Sequence, residues 1–214
     1  MEPTNFTTII GTPFFLAAGI GEWETMLTAW SIRLAMLCLV ATLALRLSYS
    51  FFPLDNDGLE KEESNPPPTG AAKTIREGAK SLWLIGSFLS LFHAAAAMGF
   101  YHGWSHLIAV EDTARQTKAL LGVSVGVGVY FNYVFVAVWM LDAFWWTASE
   151  RVYESRPRWL HRLVYGFIIF IAINGAIVFE TGWVRWAGIG CCFGLLLIYW
   201  MGNSQKPARV SQPN

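Results

Sequence analysis

Four stretches of this chain are long, apolar and nearly free of charge, and they leave few folds open to it. A backbone crossing hydrocarbon finds no water, so it must close its own hydrogen bonds. A helix of about 20 residues does this across about 30 Å. Residues 82–110 contain no Lys, Arg, Asp or Glu. Residues 119–147 contain Asp142 alone, 159–180 contain Arg162 and Glu180, and 183–202 contain Arg185. A fifth stretch, 27–50, contains Arg33 and Arg46, both close enough to an interface for their side chains to reach water. The expected fold is all-α: an integral membrane helical bundle of five transmembrane helices, with four to six as the workable range, and no soluble domain.

The remaining segments fall between these spans. Residues 1–26 are expected to form an extracytoplasmic segment. Within it, 8–21 is apolar but too short to cross, and it is broken by Pro13 and three glycines, as an interfacial piece would be. No Lys or Arg precedes that stretch, which disfavours a secretory leader. Residues 51–81 form a polar cytoplasmic loop with a stiff Pro66-Pro67-Pro68 turn. The outer loop is 111–118, the basic cytoplasmic loop 148–158, and the cytoplasmic tail 203–214.

Charge orients the bundle. Ten Lys and Arg fall on the side that holds 51–81, the loop around 148–162 and the tail, against four on the other face. The basic side is expected to be cytoplasmic, which puts the N-terminus outside and the C-terminus inside a cytoplasmic (inner) membrane. The tryptophans agree, since indoles prefer the headgroup zone. Trp23, Trp30, Trp104, Trp183 and Trp186 gather near the outer face, and the other six near the inner one.

Composition excludes some functions. The chain is 54% hydrophobic and only 14% charged, and its 15 basic residues are balanced by 15 acidic ones, so no nucleic-acid partner is implied. Cys38, Cys191 and Cys192 lie in apolar runs without metal-ligand spacing and read as packing residues. There is no phosphate-binding glycine loop and no nucleophile elbow. No span carries a lysine, so a retinal Schiff base has no site.

Small residues four apart mark faces where helices approach closely. These are Gly86, Ser90 and Ala94, and Ala95, Gly99 and Gly103, in the second span, Gly122 and Gly126 in the third, and Gly190 and Gly194 in the fifth. The partners implied are the lipid bilayer and, through such faces, other membrane proteins or a second copy of the chain.

Polar residues inside a bilayer are costly, so each is a candidate. His102 and His106 stand four apart, a spacing that lets two imidazoles on one helix share a transition metal. No Glu lies between them, so the base of a metalloprotease helix is missing. Glu111, Asp112 and Glu180 lie at similar depth and could complete a shell for Zn, Cu or Fe, with Asn174 orienting a ring. His93 faces away from that pair and sits near the depth of Asn132 and Tyr133, where a buried hydrogen bond is expected. Intrachain bis-His haem is disfavoured, because His161, the only histidine off this helix, lies about 15 Å away in depth. Asp142 reads as a helix-end ion pair with Arg158, His161 or Arg162. The segment 145–159 reads as a basic aromatic loop suited to anionic headgroups.

The leading functional reading is non-catalytic: a multi-pass membrane subunit or accessory protein. The alternatives are a metal-dependent or redox membrane enzyme with a His/carboxylate site at the outer leaflet, and conduction of protons or small cations. An odd number of crossings puts the termini on opposite sides. Accessibility tags at the N- and C-terminus should therefore label from opposite compartments, and labelling of both from one side would overturn the five-span reading.

Overall fold

The computed structural model describes residues 21–49 and 69–204. Expectations for 8–21, for most of the proline-rich loop and for the end of the tail lie outside these residues. The elements run α1 (Glu22–Tyr49), α2 (Thr69–Phe100), α3 (His106–Leu121), α4 (Gly128–Ala148), a short α5 (Glu150–Glu154), α6 (Arg158–Ile173) continued by a π-turn (Asn174–Val178), and α7 (Gly182–Ser204). Among the described residues, five helices are long and apolar enough to cross a membrane: Glu22–Ser48, Lys73–Phe100, Gly128–Ala148, Arg158–Val178 and Gly182–Ser204.

Several boundaries differ from the sequence expectation: α1 begins at Glu22 rather than 27, and α2 begins at Thr69, so residues 69–81 of the expected polar loop are helical. The second apolar run does not continue to residue 110: α2 stops at Phe100 and the chain turns over residues 101–104. Gly103 and Trp104 both take positive φ, at 54° and 62°. Glycine does so at little cost, whereas Trp104 adopts a backbone conformation that a bulky L-residue rarely takes. Ser105 then starts α3, its Oγ accepting from the Ile108 N–H at 3.4 Å. Residues 111–118, expected to be a loop, therefore lie within a helix. Gly122, at φ 76°, ends α3 by donating its N–H to the Lys118 carbonyl at 3.0 Å. The third crossing helix begins only at Gly128.

In space, α1 packs on α2, α2 on α4 and α4 on α6, while α7 lies against α1 and the π-turn. The buried core comprises Ala35 and Leu39 of α1, Ala79 and Trp83 of α2, Phe135, Trp139, Ala143 and Trp146 of α4, Tyr153 of α5, and Tyr165 and Ile168 of α6. Much of it gathers where α1 and α4 end and where α2 and α6 begin. Between α1 and α2 the contact is lined by small hydroxyl residues. Thr42, Ser31 and Ser87 each donate to a carbonyl of their own helix, at 2.8, 2.9 and 2.7 Å, so no polar group is stranded.

Of the glycines within the long helices, Gly86 makes the closest approach to other helices, on one of the small-residue faces marked in the sequence. A Cβ there would stand 2.8 Å from Cζ2 of Trp139 and 3.0 Å from Cβ of Cys38, so α1, α2 and α4 all converge on it. The other expected small-residue faces behave differently. Gly103 and Gly122 serve turns, and Gly126 approaches the carbonyl of Val110 from a loop, so Gly122 and Gly126 form no helical groove. Ala95 and Gly99 line a shallow groove of about 360 Å³ bordered by Trp104. Gly190 and Gly194 have nothing within 4 Å of an added Cβ. Overpacking a tight core site costs about 1–3 kcal/mol. Gly86→Leu should therefore lower the thermal unfolding midpoint in detergent clearly, and Gly190→Leu should leave it unchanged.

Candidate functional site

The turn at residues 101–104 decides the fate of the expected metal pair. The i, i+4 spacing puts two side chains on one face only while a helix runs through both. Here His102 lies in the turn and His106 opens α3, so they share no helix. His106 instead meets two phenols of α4: Nε2 is 2.9 Å from Tyr130 Oη and Nδ1 3.2 Å from Tyr133 Oη. His102 is half-buried and its Nδ1 has no hydrogen-bond partner. Burial holds this imidazole below the ordinary histidine pKa; Asp112 opposes that shift and Arg115 adds to it. Asp112 is taken up by Arg115 at 2.7 Å and Gln116 at 3.3 Å. Neither Glu111 nor Glu180 bonds another described residue through its carboxylate, although the Glu180 carbonyl accepts from Arg185 at 2.9 Å. Among the described residues no three of His, Cys, Asp and Glu come together as a metal shell requires.

The other polar candidates are also placed elsewhere. Asn174 donates to the Phe170 carbonyl of its own helix at 2.7 Å and orients no ring. His93 donates from Nδ1 to the Thr28 carbonyl of α1 at 2.9 Å, rather than to Asn132 or Tyr133. Asn132 is exposed, and Tyr133 donates to the sulfur of Met98 at 3.4 Å.

The built polar site lies at the opposite end of the bundle, around Asp142. Its side chain is 3% exposed, and so is that of Arg156, with which it pairs. Asp142 Oδ2 also accepts from Trp83 Nε1 and from Tyr153 Oη, each at 2.9 Å. Arg156 further donates to Tyr153 Oη at 2.9 Å and to His161 Nδ1 at 2.7 Å. A guanidinium can only donate, so His161 accepts at Nδ1 and keeps its proton on Nε2. The sequence expectation paired Asp142 with Arg158, His161 or Arg162. The short α5 instead turns the chain so that Arg156 reaches it first.

Donor and acceptor rules give this network a direction. Tyr153 spends its one proton on Asp142, so Tyr165, 3.2 Å away, donates to Tyr153, and Arg46 of α1 donates to Tyr165. Burial pushes the Tyr153 phenol above its usual pKa, and Tyr165 and Asp142 push it further the same way, so it stays a donor. Burial alone would lower Arg156, but the bond to Asp142 together with the charge interactions of Tyr153, Asp142 and Tyr165 outweighs it, and the net shift is upward.

Aromatic rings enclose the charges. Trp83 stacks on Tyr165 at 5.0 Å, His161 on Tyr165 at 4.5 Å, and Trp146 on Tyr153 at 5.3 Å. Arg156 lies 3.9 Å from the Tyr153 ring, and Arg46 lies 4.6 Å from that of Trp146. Outside this knot, Arg76 and Lys80 of α2 clasp α5 through Glu150 and Glu154. Burial would raise Glu150, yet the bonds from Lys80 and Arg76 hold it below the ordinary carboxylate value. Above the knot an open cavity of about 290 Å³ is lined by Arg46, Arg156, Arg158 and Arg162 together with Tyr153, Glu154 and His161. The sequence carried two traces of this site: Asp142, read as an ion-pair partner of the basic residues that follow it, and the arginines crowded into 151–162.

No family model, curated protein or solved structure matches this chain.

Removing one partner of a buried ion pair costs about 3–5 kcal/mol, because the other charge stays behind uncompensated. Asp142→Ala should therefore lower the unfolding midpoint severely or prevent folding. Trp83→Phe keeps a ring but loses one donor, and should cost about 1–3 kcal/mol. Denaturant titration in micelles measures both; a silent Trp83→Phe would contradict the donor role.

Proposed function

We infer that this protein is a non-catalytic multi-pass membrane subunit or accessory protein. Its N-terminus lies outside and its C-terminus inside the cytoplasmic membrane, as the excess of Lys and Arg on one side supports. The observation that carries the reading is the saturation of Asp142. Both carboxylate oxygens are taken by donors from Trp83, Tyr153 and Arg156, and the side chain is nearly sealed. A proton carrier or general base must release and regain its bonds, whereas this carboxylate ties α2 and α4 to the segment joining α5 and α6.

Helix α7 supplies the contact arm. No residue of it is buried within the chain, and Gly188, not Gly190 or Gly194, is its point of close approach to the π-turn. Gly190 and Gly194 therefore leave a notch open to a neighbouring helix, among the exposed side chains of Trp186, Phe193 and Leu197. The second histidine–carboxylate reading has weaker support, since its residues lie apart.

An accessory subunit should migrate in mild detergent as an assembly larger than the chain. Gly190→Leu with Gly194→Leu should reduce it to the monomer without lowering its unfolding midpoint. A wild-type monomer, or an assembly indifferent to both substitutions, would count against this reading.

A further inference from the structure

We propose that the arginine-lined cavity at the start of α6 binds a phosphate group, carried by an anionic lipid headgroup or by a soluble phosphate compound. The proposal does not depend on the accessory-subunit reading.

The first argument is charge. Of the four arginines on the cavity wall, only Arg156 has a carboxylate, and that is the buried Asp142. The one acid on the wall, Glu154, is held by Arg76 at 3.0 Å. Arg46, Arg158 and Arg162 thus have no acidic partner among the described residues. Three guanidiniums facing one small space repel each other unless an anion lies between them.

The second argument is placement. Arg158 and Arg162 stand at i, i+4 on α6, where like charges destabilise a helix. They also stand in its first turns, the positive end of the helix dipole, where a basic residue has the wrong sign. The N-cap is Pro157, without a side-chain cap, and the first turn contains no acid. Free N–H groups, the dipole and two arginines all call for the same missing negative charge.

The third argument is the donor set. Arg156 is 97% sealed as a side chain, and its buried Nε has no hydrogen-bond partner. His161 has spent Nδ1 on Arg156, which leaves its Nε2–H as a further donor on the wall. Planar forks with a histidine N–H suit the tetrahedral oxygens of a phosphate better than a planar carboxylate, because bonds can converge from several directions. The knot below holds Arg46 against Tyr165 and Arg156 against Asp142, so these two cations are positioned before any ligand arrives.

The test uses the full chain in a neutral detergent. One arm titrates inorganic phosphate by calorimetry. The other adds phosphatidylglycerol or phosphatidylcholine and counts bound lipids by native mass spectrometry. Saturable binding of phosphate places the ligand in solution, and retention of phosphatidylglycerol over phosphatidylcholine places it in the bilayer. In either arm Arg158→Gln with Arg162→Gln should weaken binding at least about tenfold. Arg151→Gln, which removes an exposed arginine of α5 off the cavity wall, should change it by no more than about twofold. Both arginines replaced are exposed, and the ligand-free double variant should unfold no earlier than the wild type, since a repulsion has been removed. Absence of saturable binding in both arms would overturn the proposal. So would an Arg151→Gln effect as large as that of the double variant.

Discussion

A carboxylate placed among apolar helices must find donors or give up its charge, and much of this structure follows from how Asp142 finds them. Trp83 reaches it from α2, Tyr153 from α5, and Arg156 from the turn that leads into α6. Such a tie adds little net stability compared with an apolar core of equal volume. Its value here is specificity. Lipid chains are as apolar as leucine, so helices in a bilayer are not sorted by hydrophobic contact, and one apolar face fits another in several registers. A buried carboxylate with three named donors is satisfied in a single register.

The aromatic rings make the tie workable. They bring the polarizable faces of Trp146, Tyr153 and Tyr165 against Arg46 and Arg156, and so stabilise the cations where no second carboxylate is present. The opposite end of the bundle is built differently. There His93 of α2 bonds the Thr28 carbonyl of α1, and the chain leaves α2 through a turn with Trp104 in a left-handed conformation. That turn frees α3, whose His106 packs against Tyr130 and Tyr133 instead of joining His102.

The sequence signals misread between α2 and α3 were present but outweighed. Apolar residues continue without a charge to Val110, and hydropathy alone favours an unbroken helix there. Gly103 followed by Ser105 is nevertheless a stop and a start: a residue that tolerates positive φ, then an N-cap. Once the helix breaks, the spacing of His102 and His106 no longer puts them on one face. The network around Asp142 was hidden for a different reason. Several arginines lie within a few residues of each other, and spacing cannot tell which of them meets Asp142; the five residues of α5 make that choice by setting where the chain turns.

What the sequence settled by itself is helical structure with, among the described residues, five helices long and apolar enough to cross a membrane, because length and charge-free composition follow from the chemistry of single residues. Periodicity and spacing also flagged the residues that bear charge. Tertiary structure alone decided which of them meet: that Asp142 is closed by Trp83, Tyr153 and Arg156, that Gly86 and not Gly122 is the tight crossing, and that four arginines share one cavity. The reason is geometric. Pairing of side chains distant in sequence depends on where turns fall and how helices rotate, and a one-residue shift in either brings a different side chain to the same point.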